Sequence, residues 1–175
     1  MTVRPVLRMG HPVLLAVAAP VGDPTRPEIR KLAHDMVETM HAEEGIGIAA
    51  PQVGQSLRLI VVLPISERGT SNDVEPMILV DPVLEPVGDE IEEAVEGCLS
   101  IPGLRGQVPR FSRLRWFARD LEGTAIEGEA EGLVARILQH EVDHLDGILY
   151  PMRMTNLRSL AFVDAVPPEP EEIDR

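Results

Sequence analysis

The side chains best suited to chemistry lie in one stretch, Gln139-His140-Glu141-Val142-Asp143-His144-Leu145-Asp146-Gly147. It reads H-E-x-x-H. On a helix, four-residue spacing puts His140 and His144 one turn apart on one face, where both imidazoles reach a single metal ion. Glu141 follows the first histidine, so its carboxylate stands beside the metal position without being a ligand. That is the place for a base acting on a water that the metal has acidified. A solvated helix face with two histidines and a carboxylate would show the same letters. A catalytic zinc-type site also needs a third protein ligand and one open position. The longer series H-E-x-x-H-x-x-G-x-x-H is followed as far as Gly147, but Tyr150 stands where its last histidine belongs. A glutamate from the acidic C-terminal stretch has no helix to fix it. Cys98, the chain's only cysteine, is the better candidate, a soft thiolate in the irregular segment Glu96-Gly97-Cys98-Leu99-Ser100-Ile101-Pro102-Gly103. Its alternative role is an inert buried thiol.

These groups need elements to carry them. Gly132-Leu133-Val134-Ala135-Arg136-Ile137-Leu138 continues the motif backwards as a helix. Further upstream, Gly45-Ile46-Gly47-Ile48-Ala49-Ala50-Pro51-Gln52-Val53-Gly54 is too rich in small residues for a helix yet apolar enough for burial. Gln52 is its only polar side chain, and a buried amide either satisfies local backbone or faces a ligand. Thr25-Arg26-Pro27-Glu28 reads as a capping box. It opens a helix in which Ile29, Leu32, Ala33, Met36, Val37 and Met40 recur at helical spacing, with Gly45 as the stop. His34 and His41 of that helix read as surface or rim residues. Strands are expected over Leu57–Leu63, over Met77–Val80 ending at Asp81-Pro82, from Val108 to Asp120, and from Thr124 to Glu127 after a turn at Glu122-Gly123. Alternation is weak from Glu90 to Val95. An extended arm from Met1 to Val21, a polar loop over Glu67–Asp73 and a short helical turn around Leu157–Phe162 complete the reading. The expected organisation is a single domain over residues 1–166, followed by an acidic, proline-rich tail over 167–175, extended or disordered.

Composition bounds the function. At 175 residues, one domain can bury roughly two-thirds of its unfolded surface. Aromatics are only 3%, so Leu, Ile, Val and Met must fill the interior. The net charge of −13 argues against sequence-independent nucleic-acid binding, which needs clustered Lys and Arg. A lone cysteine excludes an internal disulfide framework and fits a reducing compartment. No apolar run reaches membrane-spanning length, and Met1-Thr2-Val3-Arg4-Pro5 has no apolar signal core behind it. A cytoplasmic protein without membrane association is expected.

Three segments taken in order, Gly45 to Gln52, Glu96-Gly97-Cys98-Leu99-Ser100 and Gln139 to His144, closely resemble the peptide deformylase family over roughly residues 5 to 155. The resemblance implies an α+β fold, with small antiparallel sheets packed around a central metal-binding helix that carries H-E-x-x-H, and a second, N-terminal helix. It implies Cys98, His140 and His144 as ligands and Glu141 as catalytic acid and base. It also implies the Gln52 amide and the Leu99 backbone N–H as donors to the substrate oxygen. The implied reaction is removal of the N-formyl group from formyl-methionine nascent peptides, with release of formate. Ile46 and Gly47 would wall the methionine side chain, and Arg105 with Gly47 would hold the peptide backbone. Leu133 and Ile137, seven and three residues before His140, lie on its helix face and either line that slot or pack in the core. The family's usual ion is Fe2+, with Zn2+, Ni2+ or Co2+ as substitutes. A monomer and transient ribosome association are also implied, although the acidic tail departs from the long, basic-residue-bearing C-terminal helix of some members. Two other readings of the same residues are an H-E-x-x-H metallopeptidase, which lacks its third ligand at Tyr150, and a metal-stapled binding module, which lacks a fourth.

Overall fold

The strand β2 (Leu59–Val62) is apolar at every position and buried at every position. Alternate side chains of a strand point to opposite faces, so such a strand must be covered on both sides. Ile60 and Val62 meet α2 (Gly132–Leu145), which buries Ala135, Ile137, Leu138 and Leu145 against them. Leu59 and Val61 meet α1 (Pro27–Ala42), through Ile29, Leu32, Met36 and Met40. The sheet between the helices is antiparallel and five-stranded. It adds β1 (Gly47–Ala49), β3 (Met77–Pro86), β6 (Arg113–Arg119) and β7 (Ala125–Glu131), in the order β1-β2-β3-β6-β7. A second antiparallel sheet, in the order β4-β5-β8, contains β4 (Ile91–Cys98), β5 (Ile101–Phe111) and β8 (Ala161–Phe162). Its own cluster of Leu14, Ile101, Val108, Leu149 and Tyr150 packs beside Cys98. This computed structural model describes residues 2–65 and 74–165. The polar loop expected at Glu67–Asp73 and the acidic tail at 167–175 lie outside the described residues.

Several local expectations are corrected. Thr25 does not cap α1. Asp23 captures its amide at 2.9 Å and its hydroxyl at 2.7 Å, so the N-cap falls on Arg26, and Glu28 pairs with Arg26 rather than with the backbone. The helix stop is not Gly45. Glu44 takes the left-handed conformation at φ 53°, while the Gly45 N–H reaches Met40 O at 2.8 Å and the Glu44 N–H reaches His41 O at 3.1 Å. That is a Schellman ending with a non-glycine residue at its left-handed position. Glu44→Gly is therefore expected to raise the unfolding free energy by ~0.5–1 kcal/mol, read from the urea midpoint at unchanged m-value.

β3 does not end at Asp81-Pro82. Asp81 adopts φ 51° and the register with β6 shifts between Val80 and Val83, so Pro82, which has no N–H to donate, passes through a bulge. The single strand expected from Val108 to Asp120 is two strands in different sheets, parted at Ser112, whose N–H and hydroxyl both donate to Glu90 O. The strand expected at Thr124–Glu127 runs from Ala125 to Glu131. The helical turn near Leu157 stops at Ser159 and leads into β8. The glycine-rich decapeptide is β1 followed by a 3-10 turn, Ala50–Val53.

The arm from Thr2 onward is tied to the body by its backbone. Thr2 N donates to Asp35 Oδ1 at 3.0 Å, Leu7 N to Gln52 O at 2.8 Å and Met9 N to Ser100 O at 2.8 Å. Asp35 is 1% exposed and also accepts from Lys31 at 2.6 Å and from Arg4 at 2.9 Å. The Lys31 bond is the largest influence, and with Arg4 it outweighs burial and holds the Asp35 carboxyl near about 2. A depressed folded-state pKa stabilises the fold above the unfolded value near 3.8 and is lost as pH falls towards about 2. Asp35→Asn should thus narrow its stability deficit relative to the parent as pH drops from 5 to about 2. Paired urea melts across that range measure it. A deficit that stays constant would show that the Asp35 charge does not matter.

Candidate metal centre

Two elements and one turn supply the chemistry. α2 presents His140 and His144, and the end of β4 presents Cys98. The sulfur and one nitrogen from each ring lie within 4.8 Å of one another, with Cys98 Sγ 3.2 Å from His144 Nε2. One thiolate and two imidazoles suit a divalent transition ion such as zinc or iron and not magnesium or calcium, which favour oxygen ligands. Glu141, next along α2, is buried, and its Oε2 has no hydrogen-bond partner among the described residues. Gly47 explains its placement: a Cβ there would lie within 3.0 Å of Ile137 Cγ2 and the Glu141 carboxylate, so only glycine lets β1 pass this close.

Gln52 satisfies local backbone with one end of its amide. Its Oε1 accepts from Ala49 N at 2.8 Å, which fixes the amide, and its Nε2 then points to Ser100 Oγ at 3.2 Å and Cys98 Sγ at 3.6 Å. Leu99 sits in the two-residue turn between β4 and β5. A cleft of about 570 Å³ opens beside these groups, and Ile46, Gly47, Leu99, Arg105, Leu133 and Ile137 line it with Gln52, Cys98, His140 and Glu141. His144 lies behind Cys98 and does not line it. Leu133 and Ile137 also pack against the core. Tyr150 is no third ligand of the longer series. It is buried with its ring stacked near that of His140, centroids 6.2 Å apart, and its hydroxyl has no hydrogen-bond partner among the described residues. His34 and His41 are exposed, as their helix phase suggests.

Around this centre lies a buried charge network that sequence reasoning missed. His140 Nδ1 is 2.8 Å from Glu96 Oε2. Arg110 grips the same carboxylate at 2.8 and 3.0 Å, and its third nitrogen reaches Asp143 at 2.5 Å. Arg136 donates to Glu96 Oε1 at 3.0 Å. Burial pushes the Glu96 carboxyl up, but the bonds from Arg110 and His140 win and hold it at about 2. As an anion, Glu96 accepts the Nδ1 proton of His140 and leaves Nε2 free for a metal, the usual device for fixing a ligating imidazole. Burial alone would pull His140 down, yet Cys98 and Glu96 raise it well above its ordinary value. Burial, with the nearby His140 charge, lowers His144. Glu141 is pushed up to about 7, by burial above all. Spacing was the missed signal: Glu96 lies two residues before Cys98, on the same face of a strand whose alternation is hidden because Ile91 and Val95 face solvent.

Comparison with known proteins follows the same outline. Residues 3–159 match the family model described as polypeptide deformylase. The chain is 47% identical over 166 residues to peptide deformylase 1 of Bordetella pertussis, covering 94% of each protein. A ligand-bound class I type b peptide deformylase from Acinetobacter baumannii superposes with a TM-score of 0.82 at 38% identity, over 88% of this chain and all of that one. The same Acinetobacter enzyme solved with Met-Ala-Ser bound gives 0.79 at 38% identity, over 87% of this chain and 99% of that one.

Proposed function

The chain belongs to the polypeptide deformylase family and is a hydrolase that removes the N-formyl group from nascent peptides; we propose that Cys98, His140, His144, Glu141, Gln52 and Leu99 carry the reaction. Cys98, His140 and His144 hold one divalent ion, Fe2+ by family habit, with Zn2+, Ni2+ or Co2+ able to take its place. Such an ion supplies a Lewis acid that polarises the formyl oxygen and acidifies water. Gln52 Nε2 and the Leu99 N–H donate to the oxygen as it gains charge during attack. Glu141 takes a proton from the attacking water and gives one to the departing amine, so that formate and a free amino terminus leave. Burial, which holds Glu141 near neutrality, suits it to both transfers.

Selection falls on the side chain beside the formyl group. Leu133 and Ile137 form one wall of a methionine slot and Ile46 with Gly47 the other, while Arg105 steadies the peptide backbone. The relative solved with Met-Ala-Ser bound supports a methionine in this place. The protein works as a monomeric single domain over residues 1–166, in the cytoplasm, with transient contact to the ribosome. Among the described residues no helix is long and apolar enough to cross a membrane, and the charge of −13 disfavours nucleic acid as a partner.

One observation carries the reading. A thiol, two imidazoles and a fixed amide converge beside a buried carboxylate oxygen that has no partner among the described residues. Formate release from a formyl-Met-Ala-Ser peptide, with and without a chelator, tests it. Release that stops with chelator and returns with added ion is expected, and release indifferent to the chelator would rule out the ion-dependent mechanism.

A further inference from the structure

We propose that Arg136 is a positioning residue that sets the register between the helix carrying His140 and His144 and the strand carrying Cys98. The inference rests on the reading of those three residues as ligands of one ion. Arg136 stands one turn before His140 on α2, so both side chains leave the same face. Both end on one carboxylate: Arg136 Nη1 donates to Glu96 Oε1 at 3.0 Å, and His140 Nδ1 lies 2.8 Å from Oε2. Glu96 is two residues from Cys98 on β4, so its side chain projects from the same face of the strand. The helix thus grips the ligand strand at two points one turn apart.

Arg136 goes further than this clip. Its Nη1 also reaches Val108 O on β5 at 2.7 Å, and its Nη2 reaches Glu92 O on β4 at 2.7 Å. One guanidinium, 7% exposed as a residue, therefore spans two strands of the smaller sheet. Arg110 joins the same sheet to α2 as well, through Asp143, but at the C-terminal side of His140. Arg153 grips Asp143 from beyond the helix at 2.7 Å. Without Arg136, α2 keeps its ties through Asp143, through Gln139 to Phe111 of β5 and through His140 to Glu96. What is lost is the one group that holds Glu96 Oε1 from the helix and joins it to both strands, so the carboxylate shared with His140 is no longer fixed from that side. Neither Lys nor a neutral side chain can make all three bonds with the planar fork that arginine provides.

The test uses Zn2+ alone as probe. Arg136→Met keeps an unbranched stem and removes every donor, and Arg136→Lys keeps one charged donor. Zinc dissociation constants are measured by chelator competition for the parent, both variants and Leu79→Ala, a core truncation in the other sheet. Arg136→Met is expected to weaken zinc binding by roughly 10–100-fold, with Arg136→Lys between it and the parent. Leu79→Ala should lower the melting temperature while leaving the zinc constant within about twofold of the parent, since Leu79 stands on β3 and its side chain has no bond to the ligands or to Glu96. An unchanged zinc constant in Arg136→Met overturns the inference, as does an equal loss in Leu79→Ala. If Arg136→Met does not fold, Arg136→Lys decides by the same comparison: a weakened constant supports the register role and an unchanged one overturns it. A parent protein that binds no zinc would instead remove the metal site on which the inference stands.

Discussion

Glu141→Gln is expected to lower kcat by roughly 10²–10⁴-fold, the usual worth of general acid–base help, while the protein keeps its fold and its metal. The expectation starts from the site. Glu141 is buried, its Oε2 has no partner among the described residues, and its other oxygen lies against the Gly47 backbone. An amide has the same shape and fits the same gap, so packing should not change. It cannot take a proton from water or return one to the amine, and the same residue is asked to do both. The loss should therefore lie in kcat, with KM moving little, because the cleft residues proposed to hold the substrate remain in place. Single-turnover formate release alongside elemental analysis measures it. Loss of metal in this variant would make Glu141 a ligand, and retained turnover would move the proton transfers to another group.

Cys98→Ser is expected to be the more damaging change, because it removes the one thiolate from the ligand set. Ser presents a harder, neutral oxygen on a side chain that offers no negative charge at neutral pH. Metal retention after dialysis should fall by more than tenfold, and formate release should fall in parallel. Hydrogen peroxide provides a second handle on the same residue. Cys98 is the only cysteine, so an oxidised sulfur has no internal thiol with which to form a reversible disulfide. Iron-loaded protein is expected to lose activity in air while zinc-loaded protein survives. Activity that decays with thiol titre and metal content intact would separate the two.

The part of this molecule most legible in sequence was the part in which spacing and chemistry agree. Two histidines four apart on an amphipathic helix, a glutamate beside them and one soft donor in an irregular segment already describe a metal centre. The helix indeed brings both rings to the cysteine. Gln52 could be singled out because an amide in an apolar run has to be explained, and its two ends do go to different partners. The network behind the ligands was not legible. Glu96, Arg110, Arg136 and Asp143 look like ordinary surface charges when read along the chain, and burial follows only from how two sheets close on one helix. Element ends were misplaced where a local group overrode the pattern: Asp23 took the cap from Thr25, a bulge carried Pro82 through β3, and Ser112 turned the chain between sheets.

The backbone ties of the arm have a consequence for the life history of the polypeptide. Leu7 and Met9 fasten the segments that end in Gln52 and Ser100, and Ala18 N donates to Leu145 O at the close of the ligand helix, 2.7 Å away. These segments are thus held by segments that follow much later in the chain, and the long loops between them must close before any contact is repaid. No partial chain ending before α2 can assemble the centre. An enzyme whose substrates are unfinished proteins is therefore silent while it is itself unfinished, and gains activity only once α2 has been made and docked.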